Sequence, residues 1–229
     1  MQRDWPGSTL LIEYKPFEPV FYHTDIADWG MAYVFAKHAG KRAKVLVDTG
    51  HHLPGCNIEH LVTFLLDEQM LGGFHFNDRK YADDDLTLGS IDPYAVFRIF
   101  DAIVQHELET GQSQKIEYMI DQCHNLKPKI EAMVQTVCEA QKQFARAHLV
   151  DRKALSAAQK RGDIVGAEMI LRGAFETDVT PLLKKWRKAH GLPADPLMQL
   201  RTDGVIGELA QQRRAERKAA GITRSGSFA

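Results

Sequence analysis

The sequence has little of what marks several large classes of protein. Its 229 residues carry a formal net charge of −1, so no basic surplus indicates nucleic-acid binding. It contains no apolar run long enough for a membrane span, and its first residues lack the apolar stretch of a signal peptide. Cys56, Cys123 and Cys138 are an odd number of cysteines without metal-ligand spacing. These absences predict an ordinary globular protein of the cytoplasm with reduced thiols.

The first half of the chain alternates short apolar runs with segments of helical periodicity. An apolar run of three to five residues, bounded by glycine or charge, is typical of a strand buried on both faces. The predicted strands end at Glu13, span 43–48, centre on 74–76 and span 115–121. The predicted helices span about 26–39 and 58–69, and a third begins with Asp92 as N-cap and Pro93 as first residue. This order predicts parallel βαβ units.

The second half of the chain has helical spacing nearly to its end. Ile130, Met133, Val134 and Val137 lie on one predicted helix, and another starts at Thr180. We therefore divide the chain into an α/β region at 1–125 and a helical region at 126–229. The stretch 211–229 is rich in Arg, Lys, Gly and Ser, which predicts a solvated helix that frays into a tail. A subunit contact is the alternative for this stretch.

One polar residue stands at or near the end of each predicted strand. These residues are Glu13, Asp48, His75 and Asp121. The carboxyl ends of successive parallel strands meet at one face of the sheet, where barrel enzymes place their chemistry. Hard divalent cations prefer carboxylate oxygens, and imidazole adds affinity for Mn, Co or Zn. The pattern therefore predicts a metal site at this face.

A second set of candidate ligands lies in the loops that follow two of these strands. His51 comes three residues after Asp48, and Asp83 and Asp85 are two apart in the loop after His75. Alternate residues of an extended loop project the same way, so Asp83 and Asp85 can hold one cation while Asp84 points outward. Two cations a few ångströms apart need a bridging carboxylate, for which Glu13 is the candidate.

Each candidate also has a purely structural interpretation. An aspartate at a strand end often caps a turn or helix, a histidine between phenylalanines is often a core residue, and three aspartates in a row are often a solvated loop. These interpretations weaken together, because all seven candidates fall where the side chains could meet. His52 is a candidate for supporting the ligands. The remaining histidines are predicted to be surface or core residues: His23, His38, His60, His106, His124, His148 and His190.

Three segments of the chain resemble a known enzyme family. They are Ile-Glu-Tyr-Lys-Pro-Phe-Glu-Pro (12–19), Val-Asp-Thr-Gly-His-His-Leu-Pro (47–54) and Gly-Gly-Phe-His-Phe-Asn-Asp-Arg-Lys-Tyr-Ala-Asp-Asp-Asp-Leu (72–86). They look like L-rhamnose isomerase in its shorter bacterial branch, within the xylose-isomerase-like TIM-barrel group. The specific motifs run from about Leu10 to Asp121, and the likeness continues more loosely through the helical C-terminus.

The resemblance implies a role for each candidate residue. A structural metal is held by residues that match Glu13, Asp48, His75 and Asp121, and a catalytic metal by those that match His51, Asp83 and Asp85. Lys15 and Asp121 match catalytic positions, and Lys15 and His51 substrate-binding ones. The implied cofactors are two divalent cations, Mn²⁺ first and Co²⁺, Zn²⁺ or Mg²⁺ as alternatives. The implied partners are a sugar and either further copies of the chain, in a tetramer as in the family, or a missing N-terminal half.

The reaction that the resemblance implies is aldose–ketose isomerisation, L-rhamnose to L-rhamnulose, with hydride passing between C2 and C1. Lys15 would donate to the developing oxyanion, whereas an ion pair with Glu13 or Glu18 is its structural alternative. Other chemistry on the same scaffold stays open, such as a sugar epimerase or dehydratase. A metal-dependent phosphodiesterase is disfavoured, because the sequence has no glycine-rich phosphate loop or basic patch. A non-catalytic, metal-binding half-barrel is the further alternative.

The chain is shorter than a complete (β/α)₈ barrel usually is. A (β/α)₈ barrel usually needs about 250 residues or more, and four βα units are predicted here. In the family the ring-opening histidine and the aromatic wall of the sugar pocket come from earlier strands, so no residue of this chain is assigned those roles. We therefore expect the C-terminal half of a TIM barrel with a helical extension, either part of a longer enzyme or the product of a split or decayed gene.

Overall fold

Four parallel strands form one sheet at the centre of the described chain. The computed structural model describes residues 6–16, 25–123 and 126–222. Within these ranges the strands are β1 (Leu10–Ile12), β2 (Ala43–Asp48), β3 (Leu71–Phe76) and β4 (Glu117–Ile120). Neighbouring strands all pair in parallel, and their spatial order follows the sequence. The predicted α/β class and parallel βαβ order are confirmed.

Helices connect the strands and then continue beyond them. The connecting helices are α1 (Trp29–Ala39), α2 (Ile58–Asp67) and α3 (Pro93–Thr110). After β4 come α4 (Lys129–Ala147), α5 (Arg152–Lys160), α6 (Ile164–Glu176), α7 (Thr180–Ala189), α8 (Pro196–Thr202) and α9 (Val205–Ala219). Helix α4 packs against α3, so the later helices adjoin the α/β part of the chain. The domain division at residue 125 remains a prediction. No described helix has the length and apolar character that a membrane crossing requires.

The core lies between the sheet and helices α1 to α3. Val45 and Val47 of β2 and Phe74 and Phe76 of β3 are at most 2% exposed, and the Phe76 ring centroid lies 5.5 Å from that of Phe100 on α3. Side chains alternate between the faces of a strand. Burial of these four residues against the helices therefore directs the side chains of Asp48 and His75 to the opposite face.

Most element boundaries agree with the prediction, and the differences have local causes. Helix α1 begins at Trp29 rather than near residue 26, because the Asp28 side chain accepts a hydrogen bond from the Met31 amide and acts as N-cap. Helix α2 ends at Asp67, two residues early, and Gln69 beyond it has a φ of 57°. Strand β4 is shorter than predicted at both ends, and His75 lies within β3 rather than at its end.

The sheet has two open edges in the part of the chain that the structure describes. Strand β1 pairs with β2 alone and β4 with β3 alone. Tyr118 of β4 is 49% exposed, and Leu11 and Ile12 of β1 line an open groove beside α1. The arrangement is consistent with one arc of a (β/α)₈ barrel, and the described residues do not close it.

Candidate metal centre

Four side chains converge at the carboxyl edge of the sheet. Glu13 directly follows β1, Asp48 is the last residue of β2, His75 lies in β3 and Asp121 directly follows β4. One ligand atom from each residue lies within 4.8 Å of the others. The structure therefore brings together the strand-end set that the sequence indicated.

His75 is at the middle of this group. Its Nδ1 lies 2.9 Å from Glu13 Oε1, 3.6 Å from Asp121 Oδ2 and 3.8 Å from Asp48 Oδ2. The hydrogen bond to Glu13 and the surrounding carboxylates raise the pKa of His75 against the opposing effect of burial. Burial alone would raise the pKa of Glu13, but the hydrogen bond and charge of His75 outweigh it and the pKa is lowered. The hydrogen bond between His75 and Glu13 thus lies where the four candidate ligand atoms meet.

Asp48 is fully buried, and only one of its two carboxylate oxygens accepts hydrogen bonds from the described residues. Its Oδ1 accepts hydrogen bonds from the Gly50 amide at 2.8 Å and from Asn77 Nδ2 at 2.9 Å. Its Oδ2 has no hydrogen-bond partner among the described residues. Burial raises the pKa of this carboxyl, although the charge of His51 and the two hydrogen bonds oppose the rise. A buried carboxylate oxygen without a donor is costly, and a cation at this point would satisfy it.

His51 directs a ring nitrogen without a hydrogen toward two carboxylates. Its Nδ1 lies 2.9 Å from the main-chain carbonyl of Tyr14, which can only accept, so Nδ1 carries the hydrogen. In the neutral ring Nε2 then has a lone pair, and it lies 3.4 Å from Asp83 Oδ1 and 3.8 Å from Asp48 Oδ2. Asp83 Oδ1 is also buried without a hydrogen-bond partner in the described chain. Three acceptor atoms therefore face one another, which is the arrangement a cation requires.

The loop after β3 presents two of its three consecutive aspartates to the site. Asp84 Oδ2 accepts hydrogen bonds from the amides of Lys80 and Tyr81, at 2.6 and 2.7 Å, and so belongs to the loop itself. Burial, the charges of Asp83 and Asp121, and a hydrogen bond with Asp83 raise the pKa of Asp85 to about 7. The Asp85 carbonyl accepts from the Cys123 amide at 2.9 Å, which ties this loop to the chain after β4.

Lys15 lies on the same side of the site as the aspartate loop. Its Nζ is 2.5 Å from Asp83 Oδ2. The two oxygens of Asp83 thus have different neighbours, the ammonium of Lys15 at one and the imidazole of His51 at the other. Glu18, one alternative partner predicted for Lys15, lies outside the described residues, as do Phe17 and Pro19 of the predicted turn.

Residues that the sequence did not single out hold the candidate ligands in place. The Thr49 hydroxyl donates to the Asn77 carbonyl at 2.7 Å and accepts from the Asn77 amide at 3.0 Å, which joins the ends of β2 and β3. A Cβ on Gly50 would lie 2.5 Å from Asn77 Oδ1, so this close approach needs glycine. Asn77 was identifiable only as a polar residue directly after a strand, which is the signal that Glu13 and Asp121 also give.

Tyr14 and His52 form a second contact that the sequence did not indicate. The Tyr14 hydroxyl lies 3.0 Å from His52 Nε2, and both side chains are buried. Burial, the charge of Arg79 and that of His51 lower the pKa of His52 to about 4, against a hydrogen bond with the main chain of Asp48. His52 is therefore a neutral ring near pH 7, next to the ligand candidate His51.

The donor atoms suit divalent cations. Five carboxylates and two imidazoles from the candidate set face this part of the sheet, a mixture that fits Mn²⁺, Co²⁺ or Zn²⁺. Asp48 Oδ2 and Asp83 Oδ1, which have no hydrogen-bond partner among the described residues, support that fit. Each lies near His51 Nε2, which has no hydrogen to donate when the ring is neutral. The strand-end set is the group that satisfies a metal-ligand geometry among the described residues, and His51 and Asp83 border it.

Two proteins named as probable sugar isomerases align with nearly the whole chain. Over 212 residues, 93% of this chain, the sequence is 44% identical to a protein of Mesorhizobium japonicum named "Probable sugar isomerase". It is 41% identical over the same length to a protein of Rhizobium meliloti with the same name. Each alignment covers 49% of the relative. The chain spans about half the length of the curated relatives it matches. No family model matches the sequence.

Proposed function

We propose that this chain forms part of a metal-dependent sugar isomerase that interconverts an aldose and its 2-ketose. The observation that carries the proposal is the convergence of Glu13, Asp48, His75 and Asp121 within 4.8 Å at the carboxyl edge of a parallel sheet. The names of the two relatives support a sugar isomerase. The motifs that contain these ligands support L-rhamnose as the aldose and L-rhamnulose as the ketose.

The proposed cation ligands fall into two neighbouring sets. Glu13, Asp48, His75 and Asp121 would hold one cation, and His51, Asp83 and Asp85 the second, with Mn²⁺ as the first choice. When bound, the cations would act as Lewis acids on adjacent oxygens of the open-chain sugar. The two sets are close enough to share ligands, since His51 Nδ1 lies 3.4 Å from Glu13 Oε1.

Two side chains would act on the sugar itself. Lys15 Nζ, held by Asp83 at 2.5 Å, would donate a hydrogen bond to the sugar oxygen on which negative charge develops as hydrogen moves between C2 and C1. Asp121 is the most exposed of the strand-end ligands, with 56% of its side chain exposed, so a sugar hydroxyl can reach it and donate to it. His51 is 7% exposed and would meet the substrate only through the cation that it binds.

The whole enzyme would need more chain than these residues. We propose that the described sheet is one arc of a (β/α)₈ barrel and that further strands add to the open edges of β1 and β4. These strands would supply the groups that open the sugar ring and exclude water from the pocket. The relatives, about twice as long as the matched region, are consistent with this arrangement.

The proposal is tested by assaying ketose formation from a panel of aldoses. The 229-residue chain, stripped of metal and reloaded with Mn²⁺, is assayed alone and together with the half of the Mesorhizobium japonicum relative that it does not match. We expect turnover of L-rhamnose by the mixture, and its loss when Asp85→Ala or His51→Ala is used. Turnover of another aldose in preference would revise the substrate, and no isomerisation by a mixture that binds Mn²⁺ would contradict the proposed activity.

A second candidate function is a non-catalytic, cation-binding half-barrel that pairs with another copy of itself. The two open sheet edges favour it, because a second sheet could cover both at once. In the same experiment this candidate predicts Mn²⁺ binding and self-association without turnover in any mixture.

A further inference from the structure

Tyr14 contacts two consecutive histidines in the loop after β2. Its main-chain carbonyl accepts from His51 Nδ1 at 2.9 Å, and its hydroxyl lies 3.0 Å from His52 Nε2. The rings of Tyr14 and His52 meet edge to face with centroids 5.4 Å apart. One residue after β1 is therefore fixed to two successive residues after β2.

His52 is itself fixed from both sides. Its Nδ1 lies 3.4 Å from the Sγ atom of Cys56, the residue before the N-cap of α2, and its Nε2 faces the Tyr14 hydroxyl. Tyr14 is 2% exposed and His52 4% exposed. Buried rings with hydrogen bonds at both ends have little freedom to rotate, so this pair sets the distance between the two loops.

We propose that Tyr14 and His52 are positioning residues that hold His51 with its Nε2 directed at Asp83. The inference rests on the proposed function, in which His51 is a cation ligand. A ring nitrogen that donates to a carbonyl fixes the tautomer of a histidine and the direction of its other nitrogen. Here that carbonyl belongs to Tyr14, and the Tyr14–His52 contact determines where it lies.

Tyr14 and His52 would act on the cation site only indirectly, unlike the proposed ligands. Neither reaches the carboxylates, and Tyr14 lies between Glu13 and Lys15, whose side chains both face the site. A shift of Tyr14 would move the proposed ligand Glu13 on one side and Lys15, which pairs with Asp83, on the other, as well as the acceptor for His51. The strongest effect is expected at His51, because only its orientation depends on both the carbonyl and the neighbouring ring.

The experiment compares the two steps of Mn²⁺ binding in variants of the full chain. Free Mn²⁺ is followed by electron paramagnetic resonance, and Asp85→Asn and Asp121→Asn assign the steps to the two centres. In Tyr14→Phe we expect the dissociation constant at the His51 centre to rise about 10–100-fold, with the other centre within about threefold. His52→Phe should act alike, so either variant that folds decides the question. Tyr33→Phe is the control, since it removes an exposed hydroxyl that hydrogen-bonds Glu68.

Two results overturn the inference: unchanged affinity at the His51 centre, or equal weakening at both centres, which indicates a general loss of structure. If the unaltered chain binds no Mn²⁺, the proposed function fails. The inference is then decided by ¹⁵N-histidine NMR of the metal-free chain, with the His51 signal assigned by His51→Gln. A single Nδ1–H tautomer that becomes mixed in Tyr14→Phe or His52→Phe supports it, and an unchanged tautomer in both contradicts it.

Discussion

His51 Nε2 lies 3.4 Å from Asp83 Oδ1, and neither atom has a hydrogen to offer when the ring is neutral. Asp48 Oδ2, 3.8 Å from the same nitrogen, is a further acceptor without a described donor. A proton or a metal ion among these atoms would relieve the unfavourable contact between acceptors. Proton and cation would therefore compete for the same acceptors.

Replacing Asp48 by asparagine should separate folding from cation binding. Asparagine keeps an Oδ1 for the Gly50 and Asn77 hydrogen bonds, and its new N–H can donate where the orphaned oxygen faced His51. Without metal we expect Asp48→Asn to raise the melting temperature by about 2–4 °C, which corresponds to about 1 kcal/mol. Stabilisation by Mn²⁺ should be lost. Asp67→Asn, at a side chain that is 70% exposed, is the control, and a lower melting temperature for Asp48→Asn would contradict the account.

The metal-free chain should become less stable as the pH rises. The pKa of Asp85 is raised to about 7 and that of Asp48 is also raised, in both cases first of all by burial. Between about pH 4 and 7 these two carboxyls therefore bind more protons in the folded than in the unfolded chain, and their contribution to stability falls as the pH rises through this window. After allowance for solvent screening, we expect the titration of Asp85 to lower the free energy of unfolding by about 1 kcal/mol across this window.

The measurement is the melting temperature of the unaltered chain minus that of Asp85→Asn, from pH 5 to pH 8. This difference should fall as the pH rises, and saturating Mn²⁺ should reverse the trend, because cations bind the deprotonated carboxylate. Asp84→Asn is the control that should show no pH dependence in this range, since hydrogen bonds from the Lys80 and Tyr81 amides lower the pKa of Asp84 and keep it ionised throughout. A flat difference for Asp85→Asn would show that the carboxyl does not titrate in this window.

Lys15 should matter for turnover more than for cation binding. If it donates to the developing oxyanion, Lys15→Met should lower kcat of the complemented enzyme by about 10²–10³-fold. Mn²⁺ affinity should be kept or strengthened, because the 2.5 Å ion pair no longer neutralises Asp83. Lys80→Met, which removes an ammonium above the Tyr81 ring, is the control. Loss of Mn²⁺ binding with Lys15→Met would assign Lys15 a structural role instead.

The open sheet edges predict association. Half-buried Leu11 and Ile12 at one edge and Tyr118, 49% exposed, at the other leave apolar surface and unpaired strand backbone accessible. Sedimentation velocity of the 229-residue chain should show dimers or larger species, and Tyr118→Lys should shift them toward monomer. A stable monodisperse monomer at micromolar concentration would contradict this interpretation of the edges.

Much of the fold could be read from the sequence because apolar runs and helical periodicity report burial directly. The strand at 43–48 and the Asp92–Pro93 start of α3 were predicted correctly. The start of α1 was missed because Ile26 and Ala27 continue its apolar pattern. The helix begins only at Trp29, because the side chain of Asp28 caps it there. Local capping decides such boundaries, and periodicity does not reveal it.

The candidate site was predictable to a similar extent. Strand-end position indicated Glu13, Asp48 and Asp121, because parallel strands bring their ends together whatever the loops do. Tyr14 and Asn77 were not indicated, since their roles depend on hydrogen bonds between residues 28 to 38 positions apart along the chain. Such contacts become visible only when the side chains are placed.

The central claim is that the two ligand sets form one centre for two neighbouring cations. Low-temperature electron paramagnetic resonance of the chain loaded with two equivalents of Mn²⁺ tests it most directly. We predict the broad spectrum of an exchange-coupled pair, with the ions about 4 Å apart, which Asp85→Asn converts to the six-line spectrum of a single bound ion. A six-line spectrum from the unaltered chain, or the spectrum of free Mn²⁺ alone, would contradict the account.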